Sequence, residues 1–277
     1  MSSPGRSPTE ILQASRHHEA FLAHTIATRD PAAARVMLAH ERRYIDVVLP
    51  GLRGKRMLDL ACGSGVHSLV WAEQGVEVVG IDFDHDLLVL ARRRFEESGR
   101  KGAHWACGDA TRLPLRAESV DVCYVNSLLE HVPDWRACLG EAARILRPGG
   151  LIVVYTTNVN CPLQDEVRHL PLYSWLPGPV KTRAMAWIMA NRRELVNYTD
   201  FPAVNWFSYP QLRRELAARG VSAYDRLDLM ARAGRGGPLR TAIRLATRFP
   251  ALKWPYRIYS RSIALYGVKE GRVRAPR

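Results

Sequence analysis

Met57-Leu-Asp-Leu-Ala-Cys-Gly-Ser-Gly65 is the stretch that sets the fold of this chain. An apolar run carrying one acid, Asp59, gives way to a turn with glycines at 63 and 65, and a helical pattern follows from Val66. Glycines in such a turn let the backbone approach a ligand that a side chain would block. The amides at the start of the following helix suit an anion such as a carboxylate or phosphate. Dinucleotide-binding turns look similar, but their third glycine would fall at 68, where this chain has Ser68. Asp59 at the strand end would repel a pyrophosphate and suits an ammonium group. The combination favours a cofactor bearing an amino acid over NAD.

Outward from this turn, short apolar runs alternate with helical segments. Strands are expected at 56–60, 77–82, 103–107, 120–126 and 150–156, and helices at about 66–74, 84–98 and 134–147. Strict alternation implies crossover connections and a parallel sheet. Asp82 closes the second strand, where a carboxylate can accept from both ribose hydroxyls, and Asp109 follows the third, where it could accept from an adenine amino group. Three acids at the carboxyl ends of three consecutive strands form a constellation at the edge where open α/β sheets bind ligands.

The flanks are less regular. Residues 1–9 are rich in Ser, Pro and Gly and read as a disordered tail, and two helices are expected within 10–50, with Pro31 in the first turn of the second. Residues 51–277 read as the main domain. After Thr156 the alternation stops: residues 157–207 contain five prolines and five Trp or Tyr residues, with a helix near 181–196, and read as a substrate lid over the sheet edge. A helix at 209–219, a strand at 221–229 and a last strand at 262–268 complete the chain.

Net charge is +13, and Arg226 to Arg277 contribute thirteen Lys/Arg against two acids, Asp228 and Glu270. The basic excess is therefore local. No apolar run approaches the ~20 residues of a membrane span, and no secretory signal core begins the chain. The five cysteines include no C-x-x-C pair, which argues against disulfide and zinc frameworks. A reducing, cytoplasmic setting is expected.

Together the motifs resemble the type 11 branch of the class I S-adenosylmethionine-dependent methyltransferases. D-L-A-C-G-S-G is similar to its motif I, G-I-D-F-D to its second, G-D-A-T-R-L-P to its third, S-L-L-E-H-V-P-D to its fourth and E-A-A-R-I-L-R-P-G-G to its fifth. The resemblance implies S-adenosyl-L-methionine as cofactor. It also implies an α/β, Rossmann-like, mostly parallel seven-stranded sheet with helices on both faces, an antiparallel last strand and a helical insertion after strand five. On the same basis Asp59, Ala61, Gly63 and Gly65 surround the methionine part, Asp82 holds the ribose, Asp109 and Ala110 frame the adenine, and Asn126 lines the sulfonium. In relatives acting on quinones, an arginine at the position of Arg42 touches the cofactor carboxylate.

An oxygen nucleophile needs a base, and His131, just after strand four, is the candidate; its alternative role is to begin helix 134–147. His169 and Tyr173 in the insertion could also reach a substrate. His17 and His18 are adjacent and face different sides of a helix, so no metal is expected. Asn126-Ser-Leu-Leu129 differs from the N-P-P-Y of enzymes that methylate base amino groups. Leu170 to Pro177 loosely resembles an L-P-x-x-x-W-L-P segment of methyltransferases from glycan and lipid biosynthesis, where aromatics stack on a ring or pack the lid. The expected activity is O-methylation of a small molecule, a quinone-like lipid or a glycan. RNA methylation, a catalytically silent scaffold and NAD-dependent oxidoreduction are the alternatives, and nucleic acid is not an expected partner. Arg240, Arg244 and Arg248 share one helix face beside the aromatic run 253–259, so 238–261 is a candidate contact with an anionic membrane, or a helix packed on the sheet with solvated arginines. Oligomeric state is not readable from the sequence.

Overall fold

The computed structural model describes residues 17–163, 166–167, 170–233, 243–245 and 247–271. Seven strands form one sheet: β1 (Arg56–Leu60), β2 (Glu77–Asp82), β3 (Ala103–Cys107), β4 (Val120–Asn126), β5 (Leu146–Thr157), β6 (Val221–Asp225) and β7 (Ser262–Lys269). Their order is β3-β2-β1-β4-β5-β7-β6. β1 to β5 are mutually parallel, and β7 runs antiparallel between β5 and β6.

Side-chain alternation explains why helices cover both faces. Leu58, Leu60, Val79, Ile81, Cys123 and Val125 bury on one face against α5 (Trp135–Ile145) and α7 (Tyr209–Ala217). Met57, Val78, Val122, Tyr124 and Val153 bury on the other, against α2 (Pro31–Val48), α3 (Val66–Glu73) and α8 (Arg226–Arg232). α4 (His85–Glu97) lies beside β2 and β3, burying Leu87, Leu88, Ala91 and Phe95. α2 begins where expected: Asp30 caps it through the amides of Ala32 and Ala33, and Pro31 fills its first position. It is tied to the sheet by buried Glu41, which accepts from Arg226 and Tyr266. α1 (His18–Thr28) precedes it, with only Thr25 buried. No described helix is long and apolar enough to cross a membrane.

Three boundaries differ from expectation. The strand expected at 221–229 stops at Asp225, because that carboxylate accepts from the amide of Asp228 while Asp228 accepts from the amide of Asp225, a reciprocal cap that starts α8. β5 begins at Leu146 rather than 150, so α5 ends at Ile145. The insertion helix α6 runs Gly178–Asn191, earlier than expected, with a 3-10 turn at Arg193–Val196. The insertion has its own small core of Val167, Tyr173, Met185, Ile188 and Val196. The expected tail, residues 1–9, lies outside the described residues.

Candidate active site

A cavity of about 480 Å³ opens at the carboxyl ends of β1, β2 and β4. Its floor is the turn after β1 (61–64) with Val66 and His67, its sides are 82–84 and 126–128, and its roof comes from α1 (Phe21, His24, Thr25, Thr28), Arg29 and residues 196–203. Phe201 in that roof meets Phe83 edge-on at 5.1 Å.

The turn's backbone explains its residues. Ala61, Gly63 and Gly65 all have positive φ, of 60°, 53° and 71°. At Gly65 a Cβ would lie 2.7 Å from that of Ala91, so glycine also lets α4 approach. Gly63 donates its amide to Asp82 Oδ2 at 2.8 Å, and Asp84 donates to Oδ1 at 2.9 Å. These two bonds hold the Asp82 carboxylate against the cavity while burial raises its pKa to about 6. Asp59 is different. It is sealed beneath the turn, 2% exposed, and accepts from Ser68 Oγ at 2.5 Å. Burial raises its pKa to about 7, and it does not line the cavity.

At the end of β4, Asn126 Nδ2 lies 3.3 Å from His67 Nδ1, so the amide donates to an unprotonated ring nitrogen. Desolvation, with the Arg29 cation nearby, lowers the His67 pKa to about 4, leaving that ring neutral at physiological pH. His131 lines the cavity, with Nε2 3.7 Å from Glu166 Oε2 of the insertion. It does not begin a helix: α5 starts later, capped by Asp134. Glu130, 1% exposed, accepts from Thr156 Oγ1 at 2.7 Å, and burial pushes its carboxyl well above the ordinary range. Its backbone carbonyl accepts from Val204 and Asn205, docking the insertion onto this turn.

Ala61, Gly63, Asp82, Asn126 and His131 therefore meet in one cavity. Arg42 does not join them: Asp46 and Gln74 hold its guanidinium, and Arg29 is the arginine at the cavity. Asp109 is exposed and accepts from its own neighbour Thr111, and Ala110 packs toward the core, so neither lines the cavity. Gly65 lies behind the floor as the N-cap of α3. Tyr173 sits in the insertion core, 2% exposed, and donates to the Lys181 carbonyl, so it packs the lid rather than facing a substrate. His169 lies outside the described residues. His18 anchors α1 over the cavity through Asp86 at 3.0 Å.

A sheet of this order, with a glycine turn after its first strand and an acid closing the second, is the arrangement expected of the class I S-adenosylmethionine-dependent methyltransferases that the sequence motifs resemble. Residues 58–154 match the family model described as "Methyltransferase domain". It is similar to a ubiquinone biosynthesis O-methyltransferase of Idiomarina loihiensis, 34% identical over 52% of this chain and 56% of that protein. It is also similar to a malonyl-[acyl-carrier protein] O-methyltransferase of Serratia marcescens, 29% identical over 70% of this chain and 71% of that protein. The chain thus spans little more than half of the first of these relatives. Its fold is similar to that of an S-adenosylmethionine dependent methyltransferase from Mesorhizobium loti, with a TM-score of 0.53 at 17% identity, covering 93% of this chain and 99% of that one.

Proposed function

We propose that this protein uses S-adenosyl-L-methionine to O-methylate a small, lipid- or quinone-like acceptor, with His131 as general base. The observation that carries this is the meeting of the bare glycine turn, Asp82 and His131 in one cavity. The residues present fit the cofactor. The amides of Ala61, Cys62, Gly63 and Gly65 are used within the protein, so the turn offers a bare surface rather than a row of donors, and Asp82 keeps lone pairs beyond its two backbone bonds for ribose hydroxyls. The neutral His67 adds no positive charge where a sulfonium would sit. When bound, the cofactor supplies an electrophilic methyl group.

The protein's part is positioning and proton transfer. Asn126 and His67 brace the end of β4. His131, with Nε2 3.7 Å from Glu166 Oε2, would accept the proton that the acceptor hydroxyl gives up. The α1 and 196–203 roof shields the reacting atoms from water. The names of the relatives, both O-methyltransferases, support an oxygen acceptor.

The test is to incubate the protein with labelled cofactor and a panel of hydroquinones, carboxylic acids and amines. O-methyl products are expected from an oxygen acceptor. His131→Ala should lower kcat by ~10²–10⁴-fold with little change in cofactor affinity. Exclusive N-methylation, or an effect of His131→Ala confined to thermal stability, refutes the proposal.

A further inference from the structure

The stretch from Ile243 to Ser262 inverts the usual arrangement of a water-facing segment. It contains five cations, Arg244, Arg248, Lys253, Arg257 and Arg261, and no acid. Leu245, Phe249 and Leu252 are each 55% exposed, Trp254 is 64% and Tyr259 85%. Lys253, which could be solvated at little cost, instead turns inward: it is 3% exposed and donates to Asp225 at 3.0 Å and also to Asp228. Tyr256 also points inward, 6.1 Å from Tyr209. The segment is thus pinned from inside while its apolar side chains face outward beside exposed Arg244 and Arg248.

Its position is equally specific. Helix α9 (Trp254–Tyr259) leads directly into β7. Asn158, immediately after β5, donates to the carbonyls of Arg257 and Ser260 at 2.6 Å each, clamping α9 to the carboxyl edge of the sheet. At that edge Asn126 of the cavity is in register with Tyr155, and Tyr155 with Ala264. Two strand spacings, roughly 10 Å, therefore separate the cavity wall from the strand that α9 feeds.

We propose that the surface carrying Arg244, Leu245, Arg248, Phe249, Trp254 and Tyr259 docks on an anionic lipid bilayer, which sets the cavity-bearing edge of the sheet against the membrane. Apolar side chains bordered by arginine enter the headgroup boundary, Trp and Tyr favour that depth, and the positive field selects anionic lipid. The charge names the occupant: Lys253 is neutralised by Asp225 and Asp228, but Arg244, Arg248 and Arg261 are exposed on a segment that carries no acid, which an apolar protein partner would not call for. The proposal stands whatever acceptor is methylated. Residues 234–242 and 246, including Arg240, lie outside the described residues and carry none of it.

The test is co-sedimentation of the full chain with vesicles of 30% phosphatidylglycerol in phosphatidylcholine, against phosphatidylcholine alone. Binding is expected to the anionic vesicles and to fall at least tenfold on neutral ones or in ~0.5 M salt. Phe249→Ser/Trp254→Ser/Tyr259→Ser should abolish binding while cofactor affinity is retained. Arg244→Gln and Arg248→Gln should each weaken binding roughly fivefold. Quenching of wild-type tryptophan fluorescence by brominated lipid keeps the test decisive if the triple variant fails to fold: quenching supports the proposal, and its absence overturns it. A wild type that stays in the supernatant, or a folded triple variant that binds undiminished, also overturns it. Retention on poly-U RNA that is stronger than on vesicles and unaffected by the three substitutions would assign the surface to nucleic acid instead.

Discussion

Replacing Asp59 by Asn tests whether the carboxylate beneath the glycine turn is a burden on stability. Asp59 is 2% exposed, its bond from Ser68 Oγ does not offset burial, and its pKa rises from 3.8 to about 7. The group's folded pKa is raised, so the folded state holds the proton more tightly than the unfolded one. Wild-type stability should therefore fall as pH rises from about 4 through about 7. A rise of roughly three pK units is worth about 4 kcal/mol at pH 8, dropping to about 1 kcal/mol at pH 4.5. Asn keeps the shape and still pairs with Ser68, so Asp59→Asn should be the more stable protein at pH 8, with Tm higher by on the order of 10 °C. The margin should shrink as pH falls. His67 titrates in the opposite sense, its lowered pKa making stability rise with pH from about 4 to 6.5, but it is common to both proteins and cancels in the difference. The assay is urea unfolding of both at pH 4.5, 6 and 8. A variant no more stable than wild type at pH 8 refutes the reasoning, and so does a margin independent of pH. Ser68→Ala, which removes the bond favouring the charged form, should destabilise more at pH 8 than at pH 4.5.

Other perturbations separate the parts of the site. Asp82→Ala should weaken cofactor binding by about 1.5–3 kcal/mol per lost charged hydrogen bond, read by calorimetry on folded protein. Gly65→Ala should cost roughly 2–4 kcal/mol, combining positive φ with the 2.7 Å approach to Ala91, whereas Gly63→Ala, whose nearest neighbour is 3.9 Å away, should cost only about 1 kcal/mol. Comparable unfolding midpoints for the two would refute the close-approach account. Asn158→Ala strands two carbonyls and should cost roughly 2–4 kcal/mol, with faster hydrogen exchange across 254–259 as its signature.

Much of the sheet was legible because β1, β2 and β4 bury side chains on both faces and so read as continuous apolar runs; 56–60, 77–82 and 120–126 coincide with them, and 103–107 with the half-exposed edge strand β3. The run at 221–229 misled because its alternation continues past Asp225, although Asp225-x-x-Asp228 is itself a helix-start signal. The floor of the cavity was legible because one contiguous motif makes it. The roof was not: Phe21 and Arg29 of α1 and its C-cap meet Phe201 from far along the chain, and no local pattern joins them. Arg42 was assigned from the resemblance to relatives acting on quinones, and its helix face turns it toward Asp46 and Gln74. Glu130 carried a weak signal, an acid inside the apolar run Leu128-Leu-Glu130, which the helix-start alternative obscured.

The insertion of β7 between β5 and β6 has a consequence for biosynthesis. β6 pairs with β7, and β7 also covers the flank of β5, whose residues lie more than a hundred positions earlier. As the chain leaves the ribosome, the apolar edge of β5 stays bare and β6 has no partner until Ser262–Lys269 emerges. Non-local pairing of this kind is slow, and an uncovered strand edge invites association with other chains. A translation product stopped before Ser262 would therefore accumulate as aggregate rather than as a smaller folded enzyme, however intact its cofactor motifs.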